Sequence, residues 1–383
     1  MTKKLNFTYV VPVLVSFFVM SFCDLVGIGV DRVKVDFGLS NTLVQLIPSA
    51  VFVWFFILSV PVGILQDRIG KRNMVNIGMG ITAIGLFVPF LFYTFTTVLF
   101  GFALLGIGNT IVQVSANPLL VDVVPSNRTS SFLSFSQFIK AIGSMIAAPL
   151  AGFFALKFGD WKILFLVFGV VSVLSVLWLS MIKIEETRNL ETRATFGSSF
   201  GLLSSGFIFM MVLGIFLIVG IDVGINAVSG QFLLNKFHSP QTFCESGRSV
   251  YFFGKMVGTF GGALMLTMLP SRKFFLWSSI LALVSIIALI FTPTDISAMV
   301  IIFIIGLGVA NIFPLIFSLS VEKYPVRTNE ISGLMIMAVS GGAVIPLLIG
   351  SLTDNVGVTA GMLVLVACGV YELITAIVNL KRV

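Results

Sequence analysis

Gly63-Ile-Leu-Gln-Asp67-Arg68-Ile-Gly70-Lys71-Arg72 separates two long apolar runs, residues 41–66 and 73–96. Each run can cross a hydrocarbon core about 30 Å thick as a helix, and the connection is too short for anything but an antiparallel helix pair. Gly63 lets neighbouring helices approach, and Gly70 provides for a tight turn. Asp67 is suited to meeting a helix amino terminus or a basic group in a closed state. Arg68, Lys71 and Arg72 on their own are ordinary features of a turn beside a membrane.

The same alternation continues in both directions. Apolar runs fall near 8–30, 41–66, 73–96, 98–121, 131–156, 161–182, 203–234, 249–269, 274–293, 297–321, 330–352 and 358–380, twelve in all. Of the 383 residues, 57% are hydrophobic and 10% charged, against about 25% charged in soluble domains. The expected fold class is therefore an all-α polytopic membrane protein with 12 transmembrane helices. The first run lacks a small-residue cleavage site and is followed by Asp31, Arg32 and Lys34, which reads as a retained helix rather than a signal peptide.

The net charge of +7 is explained by topology. With the amino terminus inside, Lys3, Lys4, Arg68, Lys71, Arg72, Arg128, Lys183, Arg188, Arg193, Arg272, Lys273, Lys323, Arg327, Lys381 and Arg382 fall on the cytoplasmic side. Outer loops hold Arg32, Lys34, Lys157, Lys162, Lys236 and Arg248. This asymmetry follows the positive-inside rule, so no nucleic acid or other polyanion is needed to account for it. The expectation is a multi-pass protein of the inner (plasma) membrane with both termini cytoplasmic. Cys23 and Cys368 lie in spans, and Cys244 and the single histidine, His238, lie in an outer loop. That inventory offers no disulfide pair, no metal site and no histidine-based catalytic group, so an enzyme is not expected.

The chain also repeats itself. Gly106-Ile-Gly through Pro125-Ser-Asn-Arg128-Thr129 corresponds to Gly306-Leu-Gly through Pro325-Val-Arg327-Thr328, an offset of about two hundred residues. Gly143 through Pro149 and Gly152 likewise corresponds to Gly341-Gly342 through Pro346 and Gly350. Two pseudo-symmetric six-helix bundles are expected, residues 1–184 and 201–383, joined by a cytoplasmic linker at 185–200 whose charges need only be solvated.

Ionisable groups at membrane depth are costly and usually face a cavity or a partner. Asp24 in the first span and Asp222 in the seventh occupy related places in the two halves. Asn109, Gln113 and Asn117 follow at four-residue steps and share a helix face. Pro118 behind them frees a backbone carbonyl one turn earlier, and Asn311 with Pro314 repeats the arrangement. Amides that both donate and accept suit a polyhydroxylated ligand, although the same groups also serve as glue between helices. Lys140, with Gln137 a turn before it, has only Ser340 at the repeated place, so its ammonium is expected to find Asp24 or an anionic ligand. Trp54 is a candidate to stack on a sugar ring, with ordinary packing as the alternative.

The Gly63 to Arg72 turn resembles the signature of the major facilitator superfamily. Asn311-Ile-Phe-Pro314-Leu-Ile-Phe-Ser318, Ser332-Gly333-Leu and Gly341-Gly342-Ala-Val-Ile-Pro346-Leu-Leu-Ile-Gly350 resemble the fucose:proton symporter family within it. Ser115-Ala116-Asn117-Pro118 and Ser229-Gly230-x-Phe232-Leu-x-Asn235 support the same likeness. The resemblance implies uptake of hexoses and related sugars. That family often carries glutamates where Gln113 and Asn226 stand here, and neither amide can carry a proton. Sodium coupling, uniport, or coupling through Asp24 and Lys140 therefore stay open.

The reading is a secondary active transporter that imports a monosaccharide, a hexose such as fucose, glucose or galactose, by alternating access with H+ or Na+ symport. Asp24, Asn109, Gln113, Asn117, Gln137, Lys140, Asp222, Asn226, Asn311 and Trp54 are the candidate substrate and coupling residues. Gly63, Asp67, Arg68, Gly70, Arg72 and Arg128 form the candidate cytoplasmic gate. The expected partners are the sugar and the bilayer, with the protein a monomer and no cofactor bound. An exporter of drugs or small metabolites is the alternative. No Gly-Lys-Ser/Thr nucleotide loop is present to couple ATP directly.

Overall fold

In the computed structural model, which describes residues 5–39, 43, 46–187 and 194–381, helix follows helix. The side chains of 30, 31, 148, 226–228, 231, 235, 241–246 and 354 also lie outside the description. Helix α1 (Phe7–Met20) passes through a 3-10 turn, Ser21–Leu25, into α2 (Val26–Asp36). There follow α3 (Leu46–Ile69), α4 (Lys71–Leu91), α5 (Phe95–Val123), α6 (Thr129–Phe158) and α7 (Ile163–Ser180). A short helix, α8 (Phe196–Gly201), belongs to the linker. The remainder is α9 (Gly206–Phe237), α10 (Gln241–Met265), α11 (Ser271–Ile290), α12 (Asp295–Val309), α13 (Ile312–Lys323), α14 (Thr328–Met337), α15 (Gly341–Val356) and α16 (Val358–Lys381).

Eleven helices or helix runs among the described residues are long and apolar enough to cross a membrane. The twelfth is α10, 25 residues long, whose apolar character is diluted by Glu245, Arg248 and Lys255. The expected tenth span is two helices, α12 and α13, because Pro314 cannot donate to the carbonyl of Ala310. The expected eleventh is likewise split, by a 3-10 turn at Ala338–Ser340 between α14 and α15. Leu91, Phe92, Phe100, Leu156, Leu174, Trp277, Phe291 and Leu347 are each more than half exposed. So much bare apolar surface belongs against lipid rather than water.

The internal repeat shows in the caps. Thr94 and Thr97 form a reciprocal capping box at the start of α5, and Thr294 and Ser297 form the same box at the start of α12. The turns Ser126–Arg128 and Pro325–Arg327 are both single 3-10 turns. Each therefore starts the next helix, α6 or α14, in the same way.

The helices group into two compact units. Unit 1 comprises Met1–Thr129, Ile139–Gly201 and Tyr324–Met337; unit 2 comprises Ser130–Phe138, Leu202–Lys323 and Ala338–Val383. Thus α14 packs with the first sequence half and the opening turns of α6 pack with the second. In unit 1, α5 is covered by α3 and α4, and α14 lies along α3. In unit 2, α12 is covered by α10 and α11, while α16 packs on α9, α11 and α15.

The approach of α14 to α3 needs Gly63. A Cβ there would lie 2.9 Å from the Asn329 carbonyl oxygen and 3.1 Å from the Cα of Gly333. A Cβ at Gly80, in the middle of α4, would meet nothing within 4 Å. Overpacking of the first kind costs about 1–3 kcal/mol. Gly63→Ala is therefore expected to melt several degrees below Gly80→Ala in a detergent thermal-shift assay, although both gain the same helix propensity. Equal melting temperatures would refute the close approach.

Candidate functional site

The break in the first span decides where Asp24 sits. Its neighbours on the 3-10 turn, Ser21, Phe22, Cys23 and Leu25, are buried, whereas Asp24 is exposed. Its Oδ2 accepts a hydrogen bond from Ser144 Oγ on α6. Ser144 also donates to the carbonyl of Lys140, one turn earlier, at 3.1 Å. Among the described residues no ion pair within 4 Å joins Lys140 to Asp24. Of the two partners open to Lys140, Asp24 or an anionic ligand, the Asp24 pair is not formed among the described residues: a hydroxyl one turn further along α6 meets the carboxylate.

The amide row on α5 forms as spaced, but much of it is engaged. Asn109 Nδ2 donates to the carbonyl of Met20 at 2.5 Å, where α1 gives way to the 3-10 turn. Gln113 Nε2 donates to Asn109 Oδ1 at 2.7 Å, and Asn117 Nδ2 to the Gln113 carbonyl at 2.8 Å. The carbonyl that Pro118 frees, that of Val114, accepts from Ser332 Oγ on α14 at 2.6 Å. The extra acceptor expected for a ligand is therefore taken by a neighbouring helix. Asn117 Oδ1 is buried and without a hydrogen-bond partner among the described residues. Trp54 sets its ring edge against Gly106 of α5, and its buried Nε1 likewise has no partner among the described residues.

In unit 2 the carboxylate has an ammonium. Lys255 Nζ lies 2.5 Å from Asp222 Oδ2, and Tyr251 Oη donates to Oδ1 at 2.6 Å. The ion pair expected at Asp24 is found at Asp222, supplied by α10, whose lysine does not occupy the repeat-equivalent position of Lys140. Its one sequence signal is that Lys255 falls inside an expected span, 249–269. Asn311 Nδ2 donates to the Gly258 carbonyl at 2.8 Å, at the break between α12 and α13. Asn226 lies in α9, but its side chain is outside the described residues. Gln137 is half-buried among the opening turns of α6 in unit 2, while Lys140 belongs to unit 1.

The candidate gate is assembled in unit 1. Asp67 accepts from Asn329 Nδ2 in the first turn of α14 and from the Ala194 N–H at 3.1 Å, so it does meet a helix amino terminus. Gly70 takes φ 94°, which favours glycine, and starts α4. Arg72 Nη2 donates to the Ser180 carbonyl at 3.1 Å. Arg68 and Arg128 are exposed.

Two features here escaped the sequence reading. Lys71, expected as a solvated topology signal, is buried 2.5 Å from Asp122. Glu186, expected as a merely solvated linker charge, accepts from the N–H groups of Lys71 at 2.7 Å and Arg72 at 3.0 Å and so caps α4. Arg188, Glu191 and Arg193 of the linker lie outside the described residues. A cavity of about 240 Å³ lies beside Asp67, Lys71, Thr187 and Asn329. In a separate connection of unit 1, Tyr93 Oη donates to Asp36 Oδ2 at 2.6 Å and Trp161 Nε1 donates to the same oxygen at 3.0 Å. Burial, then the Asp36 carboxylate, pushes the Tyr93 phenol well above its usual range.

The model of the Major Facilitator Superfamily matches residues 12–345. The chain belongs to the Major Facilitator Superfamily. It is accordingly a membrane transporter rather than an enzyme. Among its relatives, the glucose/galactose transporter of Brucella abortus is 26% identical over 375 residues, covering 93% of this chain and 90% of that one. A putative glucose/galactose transporter of Helicobacter pylori is 27% identical over 368 residues, with 90% and 88% covered. The crystal structure of the transporter FucP in the outward conformation aligns with TM-score 0.84 at 17% identity, covering 97% of this chain and 99% of that one. The proton:xylose symporter XylE aligns with TM-score 0.76 at 14% identity, covering 98% and 95%. These two likenesses establish the superfamily fold of twelve helices in two pseudo-symmetric bundles.

Removing one member of a buried ion pair costs about 3–5 kcal/mol, because the other charge is stranded; partial exposure of Asp222 and Lys255 lowers that to about half. Lys255→Met is expected to lower the melting temperature clearly, and adding Asp222→Asn to restore much of the loss. Additive losses in this double-mutant cycle would show that the two groups do not interact.

Proposed function

We propose that this transporter imports a hexose-class monosaccharide together with protons by alternating access, with Asp24 as the coupling carboxylate. The observation that carries the reading is the exposure of Asp24 on the broken first span. A carboxylate facing lipid at mid-span costs about 2.5–3.5 kcal/mol or more, so an exposed one belongs against a water-filled path. Its hydroxyl partner leaves it able to gain and lose a proton, whereas Asp222 is held by an ammonium and a phenol.

Sugar as the substrate class is supported by relatives named glucose/galactose transporters that align over about nine-tenths of the chain. Protons rather than sodium are supported by the fold neighbours described as fucose:proton and proton:xylose symporters. Gln113 and Asn117 in unit 1, and Asn226 and Asn311 in unit 2, are the amides proposed to meet sugar hydroxyls, with Gln137 and Lys140 beside them. Residues 1–184 and 201–383 are proposed as the two bodies that rock about the site, with 185–200 as the cytoplasmic linker. The charge asymmetry supports an inner-membrane protein with both termini in the cytoplasm.

Purified protein in proteoliposomes is expected to exchange labelled glucose, galactose or fucose by counterflow, and to accumulate the sugar when a pH gradient, but not a sodium gradient, is imposed. Asp24→Asn is expected to keep counterflow and lose accumulation by about tenfold or more, equivalent to roughly 1.4 kcal/mol of coupling. Folded protein that moves none of the three hexoses would reject the substrate, and accumulation unaffected by Asp24→Asn would reject the coupling role.

A further inference from the structure

A carboxyl group buried deep in unit 2 takes no part in the site described above. Glu372, midway along α16, is 1% exposed, and among the described residues neither of its side-chain oxygens has a hydrogen-bond partner. Its space is provided by a missing side chain: a Cβ built on Gly214 of α9 would lie 3.6 Å from both oxygens and 3.0 Å from Ile316 of α13. No ion pair within 4 Å reaches Glu372 among the described residues.

The charged and titratable groups of the surrounding helices and of α16 give Glu372 neither a salt bridge nor a hydrogen bond among the described residues. On α9 they are Asp222 and Lys236, the nearer of which is eight residues from Gly214, about 12 Å along a helix. On α11 they are Arg272 and Lys273, both in the first turn, and on α13 they are Glu322 and Lys323, both in the last turn. On α15 there is Asp354, whose side chain lies outside the described residues. On α16 itself they are Cys368, Tyr371, whose hydroxyl donates to the Met210 carbonyl at 3.1 Å, and Lys381. An ionised carboxylate at this place would be buried with neither counter-charge nor donor, the most costly state for such a group. A neutral acid leaves only an unmet hydrogen bond, so the packed structure holds the proton.

The same face of α16 runs towards water. Thr375 and Asn379, three and seven residues beyond Glu372, are both buried, and Asn379 Nδ2 donates to the Thr375 carbonyl at 2.7 Å. Asn379 in turn lines a cavity of about 230 Å³ with Phe207, Arg272, Leu319, Glu322 and Lys323. We propose that Glu372 is a proton-binding site of unit 2, protonated while α16 is packed on α9, and that water entering along the Thr375 and Asn379 face from the cavity at the Arg272 end exchanges its proton. Release needs water or a donor to reach the carboxyl, so proton occupancy and the packing of α16 on α9 are linked, each biasing the other. The site is separate from Asp24 and does not depend on which sugar is carried.

Infrared spectroscopy of the purified, lipid-reconstituted protein tests this without any transport. At neutral pH the wild type is expected to show the carbonyl stretch of a protonated carboxyl in a poorly hydrogen-bonded setting, and Glu372→Gln to lose it. Heavy-carbon labelling of glutamate carboxyls should shift that band in the wild type itself, so the assignment survives if the variant fails to fold. After transfer to heavy water the deuterium shift of the band is expected to be slower in Asn379→Leu. A band that persists in folded Glu372→Gln, or that ignores glutamate labelling, overturns the site. An unchanged deuterium shift in Asn379→Leu overturns the route.

Discussion

A helix in hydrocarbon can be interrupted only where another helix supplies the hydrogen bonds that the interruption leaves open, because no water is at hand to do so. The carbonyl of Val114, orphaned by Pro118, is met in that way by Ser332. At the break in the first span Asn109 adds a bond to the carbonyl of Met20, and from the break in the tenth span Asn311 reaches across to the carbonyl of Gly258. Each such bond is worth about a kilocalorie per mole or less in a membrane protein. Polar side chains therefore tie the broken spans to their neighbours.

Charges inside the spans obey a harsher version of the same rule, and the chain uses more than one solution. Asp222 and Asp122 each take a lysine at 2.5 Å. Asp24 takes a hydroxyl and an exposed position on a 3-10 turn. A carboxylate locked to an ammonium resists protonation, since the partner would be stranded, whereas one that faces water and a single hydroxyl changes state at little cost. Between two aspartates at matching places in the repeat, this difference of partners sets the proposed coupling role of Asp24 apart from Asp222.

The fold was largely legible because its cause is one-dimensional. Apolar run lengths give the spans, and the Gly106 to Thr129 and Gly306 to Thr328 correspondence gives the repeat, which reappears as matching capping boxes at Thr94 and Thr294. The turn was legible too, since Gly63, Asp67 and Gly70 act through short-range sterics and a helix end. What sequence could not supply was partnership over long separations. Nothing local to Lys140 says that Ser144 will reach Asp24 first, and nothing local to Glu186 says that it will cap α4 from more than a hundred residues away. The lysine of the Asp222 pair was visible as a cation in a span, but only the packing of α10 against α9 assigns it to that carboxylate.

The contacts that tie α14 into unit 1 are of a kind that suits a joint which must open. Asn329 meets Asp67, Ser332 meets the Val114 carbonyl, and Gly333 lies on the backbone of α3. All three come from a single ten-residue helix, so they form and part together. Net stabilisation of about 0.5–1.5 kcal/mol for a neutral hydrogen bond, and about 1.5–3 for one to a charged group, gives a joint of a few kilocalories per mole. Alternating access, as proposed for this chain, requires two states that differ by no more than a few kilocalories, so that ligand binding can shift the balance. A joint built on several buried ion pairs would stay shut, because opening it would strand each charge in turn. The contacts of α14 with α3, α5 and α8 use a serine, a glycine and two carboxylates, Asp67 and Glu330, and among the described residues no ion pair crosses them, which suits the reversible gate proposed here.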